Sequence, residues 1–377
     1  MAKVRFRKRQ MERIRNWCWV FLGVVPYLAT GQVSSYSQGV EVLGHYGFII
    51  AHRQNIDHVI KGHTPGLEVN YEVKLRGKQP WQHCYGFPTY GASYLYFDLG
   101  NPEELGYGHG ILAFFRFPLW QNRTSRFDLK LASGLGYITK RWERLENHNN
   151  ILIGSHFNMA VQFQASYRWQ FQPRWAFRSG IGLTHFSNGA SVIPNLGINL
   201  MTVSAGLTYE FGKAPVPALD TNVFSYEDGW GLLTSVAGFF KEAVDEGGDR
   251  YAAGTWLLEG YRDVSTRSRF SLGVSTMYNG SLEKVYAAEE DLFTDRWTDW
   301  LQVGIQFGYH LKMNRWELYL QNGVYVYSLR YPNGILFSRL GGRYRVNREW
   351  FLTANLKSHL LKADYFEFGF GRYLWRQ

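Results

Sequence analysis

Asn158–Phe171 reads NMAVQFQASYRWQF. Its odd positions, Met159, Val161, Phe163, Ala165, Tyr167, Trp169 and Phe171, are apolar or aromatic. Its even positions, Asn158, Ala160, Gln162, Gln164, Ser166, Arg168 and Gln170, are small or polar. Successive side chains of an extended chain point to opposite faces, so this stretch predicts a strand with one oily and one hydrated face. The pattern recurs. Arg126–Tyr137 sets Phe127, Leu129, Leu131, Leu135 and Tyr137 against Asp128, Lys130, Gly134 and Gly136. Leu301–His310 sets Leu301, Val303, Ile305, Phe307 and Tyr309 against Gln302, Gly304, Gln306, Gly308 and His310. Near the end, Phe366, Phe368 and Phe370 alternate with Glu367, Gly369 and Gly371. No apolar stripe at helical spacing persists.

These segments run about 9–14 residues, whereas strands of soluble sandwiches are mostly about 5–6. Aromatic residues gather toward their ends, and the second face holds Gly, Ser, Gln and isolated charges. That is the pattern of an all-β, transmembrane antiparallel β-barrel with a lipid-facing exterior and a polar interior. Eight candidate strands precede a break, near 45–52, 65–75, 91–98, 107–117, 126–139, 156–171, 175–187 and 200–211. The segment Lys213–Gly229, rich in Pro and Asp, reads as a linker. Eight more strands follow, near 230–241, 251–261, 268–278, 299–311, 315–328, 335–346, 350–359 and 364–375. The expected organisation is an eight-stranded barrel over 32–212, the linker over 213–229, and a second barrel-like region over 230–377. One barrel of about 14–16 strands is the alternative; the small, polar inner face favours two narrow, filled barrels.

The chain has 377 residues, 45% of them hydrophobic and 17% aromatic, too apolar for a disordered protein. Two cysteines exclude a disulfide framework and Cys-based zinc modules. The formal charge of +10 invites a nucleic-acid partner. Most of it sits in one place, however. Lys3, Arg5, Arg7, Lys8, Arg9, Arg13 and Arg15 against Glu12 give the first 31 residues +6, leaving +4 for the rest. This basic stretch leads into Trp17–Ala29, an apolar run of 13 residues interrupted by Pro26, then small and polar residues. A spanning helix needs about 20 residues. Residues 1–31 therefore read as a secretory signal peptide. Cys18 falls within it, a mature chain would keep Cys84 alone, and the nucleic-acid reading falls away. No H-x-x-x-H motif or paired-carboxylate cluster calls for a metal or cofactor. The inner-face arginines Arg168, Arg178 and Arg343 are expected to be barrel-interior charge partners.

The segment carrying chemistry is SGIGLTHFSNGASVIPNLGINLMTVSAGLTYEF, residues 179–211. His185 and Ser187 share one face of a strand with Phe177, Ser179, Ile181 and Leu183, the face expected to meet lipid. A histidine beside a serine can take the hydroxyl proton and later return it to a leaving group. Polar side chains directed at hydrocarbon are costly unless they are used. Barrels of this type begin and end in the periplasm, so the seventh strand ends at the cell exterior. There Asn188 and Asn199 would lie close to the pair, and the outer leaflet is mainly lipopolysaccharide.

His185-Phe186-Ser187-Asn188, followed by Pro194-Asn195-Leu196-Gly197-Ile198, resembles the signature of the outer-membrane lipid A 3-O-deacylases (PagL), grouped with acyloxyacyl-hydrolase-like proteins. The resemblance covers about 45–211. It implies an eight-stranded barrel of the Gram-negative outer membrane with the active site on its outer surface. It also implies a carboxylic ester hydrolase that removes an ester-linked acyl chain from lipid A of lipopolysaccharide. By that resemblance Ser187 is the nucleophile, His185 the base, and Asn188 an oxyanion-hole residue. The family's third member is a Glu about fourteen residues after the His. Here that position is Asn199, which can orient an imidazole but cannot stabilise an imidazolium by charge; Glu143 or Glu146 could substitute. The second half has Tyr325-Val326-Tyr327-Ser328 in the comparable place and reads as non-catalytic. The competing reading is an inert outer-membrane barrel, a porin, adhesin or scaffold. The oligomeric state, a homodimer included, is left open by the sequence.

Overall fold

Period-two alternation becomes two closed antiparallel barrels of eight strands each. The computed structural model describes residues 37–52, 54–77, 79–211, 229–243, 248–290, 296–359 and 362–376. The first barrel comprises β1 (Ser37–Ile49), β2 (Gly66–Lys74), β3 (Thr89–Asp98), β4 (Tyr107–Gln121), β5 (Ser125–Ile138), β6 (Phe157–Gln170), β7 (Trp175–Ser187) and β8 (Ile198–Phe211). It closes through β1 on β8, in a register from Gln38↔Phe211 to Ile49↔Leu200. The second comprises β9 (Gly229–Glu242), β10 (Arg250–Asp263), β11 (Ser268–Asn279), β12 (Leu301–Met313), β13 (Trp316–Tyr327), β14 (Leu336–Arg345), β15 (Trp350–His359) and β16 (Lys362–Arg376). It closes through β16 on β9. Separate closure rules out the single wide barrel. The expected signal peptide and linker lie outside the described residues, apart from Gly229, which opens β9. Among the described residues no helix is long and apolar enough to cross a membrane. Among the described residues two α-helices sit in connections, α1 (Pro80–Cys84) between β2 and β3 and α2 (Leu282–Glu290) between β11 and β12.

β1 departs most from expectation, starting at Ser37 instead of near 45. Long connections cluster at one end of each barrel, the loop end, and short ones at the other, the turn end, except that the long β2–β3 connection lies at the turn end and the short β15–β16 connection at the loop end. The outer faces carry exposed aliphatic residues with aromatic side chains toward both ends. Tyr96 stacks on Tyr107 and Tyr137 on His156 at the loop end, while Trp175 meets Tyr209 at the turn end. This is the surface of an outer-membrane barrel.

The interiors are filled. In the first barrel, toward the turn end, Arg116 donates to Glu41 (2.9 Å) and Glu72 (3.0 Å). Arg178 donates to Glu41 (2.6 Å) and Asp128 (2.8 Å), and Lys130 to Glu68 (2.6 Å). Arg168 pairs with Glu210. Charges withdrawn from water are tolerable only when paired in this way. Toward the loop end the interior turns apolar, with Phe97, Leu112, Phe114, Leu152, Phe186 and Leu200 in one cluster. In the second barrel Arg343 pairs with Glu259 (2.8 Å) and Arg339 with Glu367 (2.9 Å).

The two barrels touch at both ends. At the turn end Arg267, between β10 and β11, donates to the Cys84 carbonyl of α1 (3.2 Å). At the loop end the end of β9 meets the β7–β8 connection, where Glu242 accepts from the Ile193 amide and donates to the Ala190 carbonyl.

Candidate functional site

The candidate pair sits on the last turn of pleat in β7. Burial alternates along the strand: Arg178, Thr184 and Phe186 are enclosed, while Phe177 and Ile181 are exposed and His185 is half-buried. Phe186 is the anchor. Its ring lies in the apolar interior cluster, where a Cβ on Gly136 would come within 2.7 Å of it. With Phe186 fixed inward, His185 and Ser187 must both project outward at the i, i+2 spacing.

His185 lies opposite Asn199 in the β7–β8 register, and its Nδ1 stands 2.7 Å from Asn199 Oδ1. Asn199 Nδ2 stands 3.2 Å from Nδ1 of His52, whose Nε2 stands 3.1 Å from the Leu196 carbonyl. His52 itself has a carbonyl at each ring nitrogen, Leu196 at Nε2 and Ile50 at Nδ1 (3.3 Å). Asn199 presents Nδ2 to His52 and its oxygen to His185, and an amide oxygen only accepts. His185 is thereby protonated on Nδ1, with its lone pair on Nε2, the tautomer a general base needs. His52, in the β1–β2 connection, was not singled out in the sequence; its link to position 199 spans 147 residues.

Ser187 is buried and belongs to a second cluster. Its hydroxyl oxygen accepts from Asn195 Nδ2 at 2.9 Å and from the Gly189 amide at 3.2 Å. Asn195 Oδ1 in turn accepts from the Asn188 amide at 3.1 Å. The structure thus joins His185 to Asn199 and Ser187 to Asn195, with no direct hydrogen bond between Ser187 and His185 among these contacts. Rotation of the serine hydroxyl would be needed to engage the imidazole, and such bonds commonly form only with substrate bound.

The side chain of Asn188, the expected oxyanion-hole residue, is engaged within the loop. Its Nδ2 donates to Ser155 Oγ (2.9 Å) and to the Val192 carbonyl (2.9 Å), so both amide hydrogens are spent shaping the loop. The groups aimed at Ser187 are instead the Asn195 amide and the Gly189 N–H. Asn195 stood within the quoted Pro194–Ile198 motif, but the motif carries no information on where its side chain goes. Glu143 is engaged by Arg141 (2.8 Å) and hydrogen-bonds through its backbone to Asn147, while Glu146 is exposed. The contact at His185 Nδ1 goes to Asn199, not to either of them.

Two glycines shape the β7–β8 connection. Gly189 has φ +61° and Gly197 φ +81°, in the left-handed region that other residues avoid. A Cβ at Gly197 would also come within 2.7 Å of the His185 ring. Elsewhere, His83 bonds the Gly77 carbonyl (2.8 Å) and His156 the Ile138 carbonyl (2.8 Å).

Comparison with known proteins divides the chain at the same place as the barrels. Residues 66–208 match the family described as lipid A 3-O-deacylase (PagL), and residues 230–377 match the acyloxyacyl hydrolase C-terminal domain. A search of curated proteins gave no match. Among solved structures, Neisserial surface protein A (NspA) aligns over 48% of this chain and 100% of its own, at 10% identity and a TM-score of 0.31. A mutant Rh. blastica porin aligns over 89% of this chain and 100% of its own, at 5% identity and a TM-score of 0.17. The unliganded ferric citrate transporter FecA covers 87% of this chain and 67% of its own, at 12% identity and a TM-score of 0.21. Such scores carry no weight for the site.

Proposed function

We propose that this chain, PagL-like by its family matches over residues 66–208 and 230–377, is an outer-membrane serine esterase acting on an ester-linked acyl chain of lipid A. Ser187 is the nucleophile, His185 the base and then the acid. The observation that carries this reading is the 2.7 Å contact between His185 Nδ1 and Asn199, which leaves the Nε2 lone pair for the serine beside it.

Ser187 Oγ forms a bond to the ester carbonyl carbon while its proton passes to His185 Nε2. The carbonyl oxygen gains the negative charge, and Asn195 Nδ2 with the Gly189 N–H are the donors nearest to receive it. Collapse breaks the bond to the sugar oxygen, which leaves with the proton from His185. Water then attacks the acyl-serine, giving up a proton to His185, which passes it to Ser187 Oγ as the acyl–serine bond breaks and the fatty acid is released. Asn199 holds the ring and its tautomer but adds no charge to the imidazolium, and His52 stands against the other end of the Asn199 amide. All these residues come from one chain, so the reaction calls for no second copy. Export through residues 1–31 and an orientation with the loop end outward would set the site at the lipopolysaccharide leaflet.

Lipid A from cells expressing wild type and Ser187→Ala should differ, by mass spectrometry, in the loss of one acyl chain that requires Ser187. Identical lipid A would favour the inert barrel, the reading that Asn in place of a triad carboxylate supports.

A further inference from the structure

We propose that the second barrel serves as a clamp on the β7–β8 connection, with Glu242 as a positioning residue for Asn195; this rests on the esterase reading above. Glu242 ends β9 at the loop end of the second barrel, and its side chain is 3% exposed. A carboxylate so enclosed needs donors. Its Oε2 accepts from the Ile193 amide of the first barrel at 2.7 Å, a charge-assisted bond. Its Oε1 stands 3.7 Å from Arg250 Nε, on a side chain largely in solvent. The Glu242 backbone N–H adds a bond to the Ala190 carbonyl (3.1 Å). The second barrel also occupies the space above Gly189, where a Cβ would meet the Phe366 ring at 2.3 Å.

These contacts bracket the segment that matters. Gly189 supplies the N–H facing Ser187 Oγ, and Ile193 lies two residues before Asn195, whose amide faces the same oxygen. From the other side, Asn188 holds the Val192 carbonyl, and a Cβ at Gly154 would come within about 3 Å of the Ile193–Pro194 peptide. The connection is therefore gripped between its own barrel and the neighbouring one. The anchorage at the turn end, Arg267 on the Cys84 carbonyl, fixes the second barrel where it can apply that grip. A half with no catalytic motif thus acquires a part in the reaction.

The test compares wild type, Glu242→Ala, Glu242→Gln, Asn195→Ala and the double variant Glu242→Ala/Asn195→Ala in the full chain. Folding is checked by the gel-mobility shift of intact barrels on heating. Glu242→Ala should lower kcat about tenfold or more with KM changed less than about twofold, since small displacements of positioning groups cost rate. Glu242→Gln keeps an acceptor and should stay within about threefold of wild type. In the Asn195→Ala background the Glu242→Ala change should have no further effect, because its effect runs through Asn195. Hydrogen exchange at the Ile193 amide gives a readout independent of turnover, protected in wild type and unprotected in Glu242→Ala. Unchanged protection overturns the clamp, even if wild type proves inactive and the esterase reading falls. Lost protection with unchanged kcat, or full additivity with Asn195→Ala, overturns the positioning role.

Discussion

Replacing Asn199 by Asp changes one atom and one charge, which makes it the sharpest probe of the site. The β7–β8 register holds position 199 opposite His185, so an Asp oxygen would stand where Oδ1 now does, 2.7 Å from Nδ1. When His185 takes the serine proton it becomes a cation about 4 Å from that carboxylate. At an effective dielectric of about 20 the attraction is about 4 kcal/mol. The half-buried ring is partly screened, which reduces this. A net gain of about 1.4 kcal/mol in the transition state is the reasonable share, equal to about a tenfold rise in kcat. Asn199→Leu, of similar size, removes the acceptor and strands the Nδ1 proton at a cost of about 1–3 kcal/mol, lowering kcat by about 5- to 150-fold. The assay is acyl release from lipid A in mixed micelles, followed by mass spectrometry at saturating substrate. An Asp variant no faster than wild type, together with a Leu variant as fast, would refute any role of position 199 in orienting His185.

Asn195→Ala should reduce kcat by about a hundredfold or more with little effect on KM, the signature of a lost oxyanion donor, measured in the same micelle assay. Arg178→Met should leave the buried Glu41, Glu72 and Asp128 cluster, still held by Arg116 and Arg126, with one negative charge in excess and destabilise the first barrel by about 3–5 kcal/mol, read from urea unfolding in detergent. Glu104, between β3 and β4, ties the loop end together. Burial acts to raise its carboxyl, but donors from Asn101, Asn149 and Lys61 outweigh this and hold it below the usual carboxylate range. A carboxyl depressed by folding stabilises fully above its unfolded value and loses that contribution as the pH falls through the folded one. Protease resistance of the 139–156 connection, whose Asn147 and Asn150 also bond the Glu104 carbonyl, should therefore fall on acidification below the usual carboxylate range. In Glu104→Gln this acid-dependent loss should be blunted.

Much of the architecture was legible because a barrel wall separates two environments at every residue, and period two records that separation directly. β7 begins and ends where its alternation does, at Trp175 and Ser187. The first half of β1 is hard to see in the sequence because its contrast is blurred: Leu43 is apolar yet points inward, and Gly44 points outward. The same logic located His185 and Ser187 on the outer face and brought Asn199 opposite, since pairing of adjacent strands is a local rule. It failed for Asn195 and His52, whose roles depend on loop conformation. Asn188 illustrates the limit from the other direction. Its place next to Ser187 pointed to the reacting oxygen, but its amide is committed to Ser155 and Val192. Glu242 was beyond reach, because no sequence pattern reports which residue of one barrel meets the other.

The packed interiors carry a kinetic consequence. Arg116, Arg178, Arg339, Arg343, Lys130 and Lys357 are fully enclosed there, so traffic through either barrel is not how this protein would meet a lipid. On the esterase reading, substrate arrives, and both fatty acid and trimmed lipid depart, sideways within the plane of the leaflet. The governing concentration is then a surface mole fraction, and turnover should respond to dilution of lipid A by inert amphiphile at constant bulk concentration. Lateral fluidity of the leaflet, set by the very molecule being trimmed, becomes part of the rate law.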